Sequence, residues 1–476
     1  MKKIYILLFI VALFMIKAQG QIITQSLQTE LDNASPSDMI SIIIKMNDQL
    51  NCEYLLDSLI FNLPRKVRRQ LVVSELKSFA DTSQQAIMNT LTGLEALGQV
   101  ENVRQFWIVN MITCKAKPAA INQLAQRQDI NMLHIDEVFE IEEIVTDSVM
   151  TPPDTAYHIK TMNVPAVWDL GYEGEGVVVA VLDTGVDIYH PDLENNIWED
   201  GGWNIIDWND NVDDSYGHGT SVAGVIAGDG TMGTITGVAP KAKIMALKVA
   251  FNNMSTQAYH SFFLAGIAWG LDHGADIFNI SWHTIKNSTP QTLRLWRQVM
   301  DCVLEASCVT VVAAGNNKST IKIPGMIPPP WKHPHQEIYG SEGTQSGVVC
   351  VAAIDSLGNH WHLSGFGPVS WSNVSPYEDY NYNPPNLGLR RPDLVAPGVA
   401  ITSLKANSVE YVIGNGTSFS SPAVAGVMAL MLSKNPFLTP AELDSIIELT
   451  AFHPDNDTTN SNPYLRFKDN FIGSGS

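Results

Sequence analysis

Val179-Ala180-Val181-Leu182-Asp183-Thr184-Gly185-Val186-Asp187 is an uncharged apolar run that stops on a carboxylate and a Thr-Gly turn. A strand with one wet face alternates apolar and polar residues. This one does not, so it reads as a strand buried on both faces. Residues 244–249, 277–280, 309–313 and 348–353 repeat the pattern. Helical stretches separate these runs, which predicts a parallel α/β sheet covered by helices on both sides. Open sheets of this kind meet their ligands at the carboxyl ends of the strands, and Asp183 falls at such an end.

Toward the N-terminus the pattern changes. Residues 40–46 are strand-like, 64–79 and 84–97 space their apolar residues as amphipathic helices, 119–128 is helical, and 106–114 and 138–145 alternate. This predicts a small α+β domain over 21–150, closed by the period-breaking Thr151-Pro152-Pro153-Asp154, with the α/β domain over 151–476. The cluster Arg65-Lys66-Val67-Arg68-Arg69 reads as a solvated helix face, ahead of its alternative as a processing site. Met1-Lys2-Lys3, the apolar stretch over 4–16, then Ala18 and Gly20 read as a secretory signal peptide over 1–20. The stretch is shorter than the roughly 20 residues that span a bilayer, so no transmembrane segment is expected in the mature chain.

Composition narrows the function classes. The 476 residues are 45% hydrophobic and 16% charged, a globular balance. A formal net charge of -20 repels a phosphate backbone, so nucleic acid is excluded as a partner. Five irregularly spaced cysteines suggest neither a disulfide scaffold nor a metal knuckle, and the odd count leaves a thiol unpaired. Cys308 opens an apolar run and reads as a buried small hydrophobe.

Three motifs carry chemistry. Asp183-Thr184-Gly185 also suits aspartic proteases, but those need a second such motif, and the chain has none. Gly217-His218-Gly219-Thr220-Ser221-Val222-Ala223-Gly224 crowds a histidine with small residues, which suits an imidazole held near a substrate. Gly414-Asn415-Gly416-Thr417-Ser418-Phe419-Ser420-Ser421-Pro422 sets Ser418 in a Gly-rich turn that feeds a helix. Its hydroxyl would meet the positive helix end, where a backbone N–H can face a developing oxyanion.

With these motifs in the order Asp, His, Ser, the chain from about residue 156 onward resembles the subtilisin-like serine proteases, the subtilases. The resemblance implies a three-layer α/β domain with a mainly parallel sheet. It also implies Ser418 as nucleophile, His218 as general base and then acid, and Asp183 as the carboxylate that orients the imidazole. Val311-Val312-Ala313-Ala314-Gly315-Asn316-Asn317 resembles the family's strand carrying the oxyanion donor, which implies Asn316. Asn279, Ser281, Trp282 and Gly315 then fall at substrate-binding positions. The family usually has Leu and small glycines where this chain has Trp282-His283-Thr284, which implies narrower subsites. The insertion over 321–346 would reshape the primary pocket. Asp192 matches a family position that supplies a calcium ligand, so a structural calcium is an expectation, while catalysis needs no cofactor.

The function so implied is a secreted serine endopeptidase that hydrolyses polypeptide substrates through an acyl-enzyme. A catalytically silent binding protein on the same scaffold is the alternative. The preceding α+β domain resembles a prodomain that assists folding and then inhibits as an intramolecular partner; the other reading is a permanent accessory domain. Residues 138–145 would extend the substrate edge and deliver a linker to Ser418, with self-cleavage between about 145 and 157. Asp207, Asp210, Asp213 and Asp214 hint at a preference for basic substrates.

Overall fold

The computed structural model describes residues 22–52, 63–140, 146–149, 154–251, 257–284, 287–330, 347–378, 388–452 and 473–474. The expected signal peptide lies outside them, as do residues 331–346 of the insertion. Two compact units divide the chain: Met1–Asn51 with Glu75–Glu137, and Cys52–Ser74 with Val138–Ser476.

The first unit contains α1 (Gln25–Asn33), β1 (Ile40–Met46), the second part of α2 (Arg65–Ala96), β2 (Val100–Phe106), β3 (Met111–Ala116), α3 (Pro118–Leu124) and β4 (Ile130–Ile135). Its antiparallel sheet runs β2-β3-β1-β4. Ile42, Ile44, Ile87, Leu91, Ile112 and Leu133 are fully buried between sheet and helices, so this is the α+β arrangement read from the sequence. Two details differ. The expected helices over 64–79 and 84–97 are one, because Ala80-Asp81-Thr82-Ser83 contains no Gly or Pro to break the period. The alternating run over 106–114 is two strands, parted by a turn in which Asn110 takes a left-handed φ of 41°.

The second unit carries β5 (Val138–Glu140), β6 (Thr146–Val149), α4 (Tyr157–Thr161), α5 (Pro165–Trp168), β7 (Val178–Asp183), β8 (Ile197–Asn204), α6 (His218–Ala227), β9 (Lys243–Lys248), β10 (Gln257–Tyr259), α7 (His260–Asp272), β11 (Ile277–Ile280), α8 (Pro290–Glu305), β12 (Val309–Ala313), β13 (Val348–Ile354), β14 (Leu394–Pro397), β15 (Ile401–Leu404), β16 (Tyr411–Gly414), α9 (Thr417–Lys434) and α10 (Pro440–Thr450). The large sheet has seven strands in the order β14-β13-β12-β11-β7-β9-β8, and each pairing is parallel. Alternate residues bury opposite faces. Val179, Val181, Ile244, Ile277 and Val311 share a core with Val222 of α6 and Met428 of α9. Leu182 and Phe278 meet α7 on the other face at Gly266 and Gly270. The result is three layers. Chain order reverses between β7 and β11, so their carboxyl ends flank the crevice where such sheets place a site.

Residues 52–74 belong to this unit rather than to the α+β domain expected over 21–150. A disulfide joins Cys52 to Cys302 on α8. The arginines expected on a solvated face are buried: Arg65 and Arg69 pair with Asp276 at 2.9 and 3.1 Å, and Arg68 with Glu305 at 3.1 Å. Buried guanidinium groups require such partners, and Asp276 before β11 and Glu305 at the end of α8 supply them. Cys308, Cys114 and Cys350 are buried thiols. Residues 138–149 also belong here, through antiparallel pairing of β5 with β10 and of β6 with β16. Of the expected strand over 138–145, β5 covers three residues, and 141–145 lie outside the described ones.

Candidate active site

Asp183 ends β7 and is fully buried. His218 opens α6, and its Nδ1 lies 2.6 Å from Asp183 Oδ1. The approach depends on Gly219, because a Cβ there would sit 2.0 Å from the Gly185 carbonyl oxygen and 3.0 Å from the Asp183 Cβ. A carboxylate bonded to Nδ1 fixes the tautomer with the proton on that nitrogen, so Nε2 carries a lone pair. Nε2 is buried and has no hydrogen-bond partner.

Ser418 is the second residue of α9, 3% exposed at the positive end of an 18-residue helix. Its Oγ donates to the Ser281 main-chain oxygen at 3.0 Å rather than to His218. Four residues on, Pro422 has no N–H to give the Ser418 carbonyl, and the Ser281 hydroxyl donates there instead at 3.1 Å. Asn279 Nδ2 donates to Ser281 Oγ at 2.9 Å. Asn279 and Ser281, expected at the substrate edge, therefore use their side chains to brace the serine turn.

Asn316 follows β12. Its Oδ1 accepts from the Thr417 N–H at 2.8 Å and from the Thr417 hydroxyl at 2.9 Å, while Thr417 Oγ1 accepts from the Gly315 N–H at 3.0 Å. This double clamp orients the amide and leaves Nδ2 as its donor end. Gly416, at φ 149°, permits the approach, since a Cβ there would lie 3.2 Å from Asn316 Nδ2. Gly315 has its left-handed φ of 106° beside the His283 ring, whose Nε2 accepts from the Asn316 N–H at 3.3 Å.

Trp282 is 4% exposed, so its side chain does not form the narrowed subsite expected of it. The indole turns inward and donates to Asp183 Oδ2 at 2.8 Å. Asp192, the residue expected to supply a calcium ligand, is fully buried: Oδ1 accepts from the Met232 N–H at 2.5 Å and Oδ2 from the Tyr411 hydroxyl at 2.8 Å, so each oxygen has one protein donor. Among the described residues no group of three His, Cys, Asp or Glu side chains could hold a metal.

Sequence reasoning missed Asp214. Grouped among acidic residues of a surface loop, it is fully buried and takes four donors: Thr184 Oγ1 and the Gly217 N–H on Oδ1, and the Thr220 N–H and hydroxyl on Oδ2, all at 2.7–2.8 Å. Burial pushes its carboxyl up and these donors pull it back. It ties the residue after Asp183 to the turn that starts α6. Its place four residues before His218 was the only pointer in the sequence.

A family model described as the Subtilase family matches residues 174–471. The chain belongs to the subtilase family. Subtilisin NAT of Bacillus subtilis subsp. natto and Subtilisin E of Bacillus subtilis (strain 168) are each 29% identical over 354 residues, 74% of this chain and 78% of theirs. Fervidolysin of Fervidobacterium pennivorans is 32% identical over 305 residues, 59% of this chain and 38% of its own. As a subtilase the protein is a serine-type endopeptidase, and its substrates are polypeptides. The match begins before β7 and takes in all three motifs.

Proposed function

We propose that Ser418 is the nucleophile of this peptidase, His218 its general base and acid, Asp183 the orienting carboxylate and Asn316 the oxyanion donor. The Asp183–His218 bond with an unpartnered Nε2 carries the reading. A substrate carbonyl entering the cleft draws Ser418 Oγ from the Ser281 oxygen toward Nε2, which takes its proton as the Oγ–C bond forms. The oxyanion accepts from Asn316 Nδ2. The imidazolium then protonates the leaving amine, and water cleaves the acyl-enzyme by the same proton route in reverse. Incubating the protein and its Ser418→Ala form with a fluorophosphonate probe tests this: labelling is confined to the wild type. Equal labelling of both forms, or labelling of neither after trace trypsin, sinks it.

The protein is exported and made as a self-processing zymogen whose residues from about 21 inhibit until cut. The pattern over 1–20 supports export, as does the Cys52–Cys302 disulfide, which persists in oxidising compartments. Pairing of β5 with β10 and of β6 with β16, which ends at Gly414 two residues short of Thr417, supports a cut between Glu140 and Thr146. The proposed cut lies at the upstream end of the 145–157 window and just before it. The cut piece stays attached, because Cys52 lies upstream of the cut and Cys302 downstream.

A further inference from the structure

We propose that Trp282 is a positioning residue for the Asp183–His218 pair, a reading that rests on the catalytic roles given above. The two carboxylate oxygens of Asp183 are divided between two rings. Oδ1 faces His218 Nδ1 at 2.6 Å and also accepts the Thr184 N–H at 2.8 Å, while Oδ2 accepts the Trp282 indole N–H at 2.8 Å. A carboxylate held at one oxygen can still turn about its Cβ–Cγ bond. A donor on the second oxygen fixes its plane, and with it the side from which the imidazole is held.

The same indole also limits the imidazole directly. The His218 and Trp282 rings stand edge to face at 87° with centroids 5.6 Å apart. Behind Trp282 lie Phe263 of α7, at 6.2 Å, and then Trp296 of α8, whose own N–H donates to His260 at 2.7 Å. The indole is thus backed by two helices and is almost wholly buried. Because Trp282 follows Ser281, one dipeptide touches all three proposed catalytic side chains: the Ser281 oxygen holds Ser418, and the indole holds Asp183 and His218.

Trp282→Phe keeps a ring against His218 and removes the N–H from Oδ2. We compare the full-length wild type and this variant by fluorophosphonate labelling rate and by peptide hydrolysis. The variant should lose about 10- to 100-fold in kcat and labelling rate, the order of loss when the partner that orients a metal-bound histidine is removed, with KM within about twofold. In the Ser418→Ala background, where self-cleavage stops, the low-field proton resonance of His218 Nδ1–H should move on Trp282→Phe. Unchanged kcat with an unmoved resonance overturns the proposal. A wild type that does not label, but whose resonance moves with Trp282, overturns the catalytic roles and leaves the positioning intact. If the Phe variant does not fold, Asp183→Asn in the Ser418→Ala chain should shift the Trp282 indole N–H resonance, and no shift overturns the proposal.

Discussion

Ser418 and Ser281 exchange hydrogen bonds: the Ser418 hydroxyl donates to the Ser281 carbonyl at 3.0 Å, and the Ser281 hydroxyl donates to the Ser418 carbonyl at 3.1 Å. The second bond answers a defect created by Pro422 inside α9. Ser281→Ala should therefore cost about 1–3 kcal/mol by leaving the Ser418 carbonyl buried without a donor. Adding Pro422→Ala restores an N–H four residues on and should recover part of that loss. Urea midpoints of the two variants, both in the Ser418→Ala background, measure it. A double variant no more stable than the single one would mean the carbonyl is satisfied in another way.

Asn316→Ala removes the amide that the Thr417 clamp orients. A donor that acts on the oxyanion and not on the bound substrate changes kcat without KM. The expected fall in kcat is about 100- to 1000-fold, with KM close to the wild-type value. Steady-state peptide hydrolysis decides between this and a capping role, which would lower the melting temperature and leave kcat near normal.

The fold was legible because buried parallel strands write continuous apolar runs, and Ile277–Ile280 and Val309–Ala313 fall where those runs do. The Asp, His and Ser motifs were legible because small residues around each are a steric requirement, as Gly219 shows. What could not be read was the direction of side chains whose partners lie far off in sequence. Trp282 follows a strand end and could equally have pointed into the cleft; the aromatic backing from α7 and α8 turns it inward. Nothing local to Arg65, Arg68 and Arg69 announces carboxylates some 200 residues downstream at Asp276 and Glu305. The pairing of Cys52 with Cys302 spans 250 residues and needed the fold before it could be chosen among five cysteines.

That disulfide gives a prediction about processing. After the proposed self-cleavage between Glu140 and Thr146 the two pieces should run as one species on a non-reducing gel and separate only on reduction. Cys302→Ser removes the covalent tie and leaves non-covalent ones, among them the buried pairs of Arg65, Arg68 and Arg69 and the pairing of β5 with β10, so its two pieces should part in denaturant without reductant. Two bands from the wild type without reductant would show that the bridge is not formed.

His158 provides a pH dependence with a definite sign. Its ring is fully buried, with Nε2 3.0 Å from the Thr236 carbonyl oxygen, and Nδ1 has no partner. Burial pushes the imidazole down to about 4, against a smaller upward pull from the Thr236 carbonyl. In the unfolded chain it titrates near 6.5, so between about 6.5 and 4 the unfolded state binds the extra proton and folding loses stability as pH falls. Above 6.5 both states are neutral and the stability is fully present. Going from pH 7 to pH 5 should cost about 2 kcal/mol from this group alone. In the Ser418→Ala background, urea unfolding followed by tryptophan fluorescence should show that loss. His158→Gln, which can still donate to Thr236 and does not titrate, should flatten this part of the slope while lowering stability at pH 7. An equal fall in both proteins would assign the acid sensitivity to other groups.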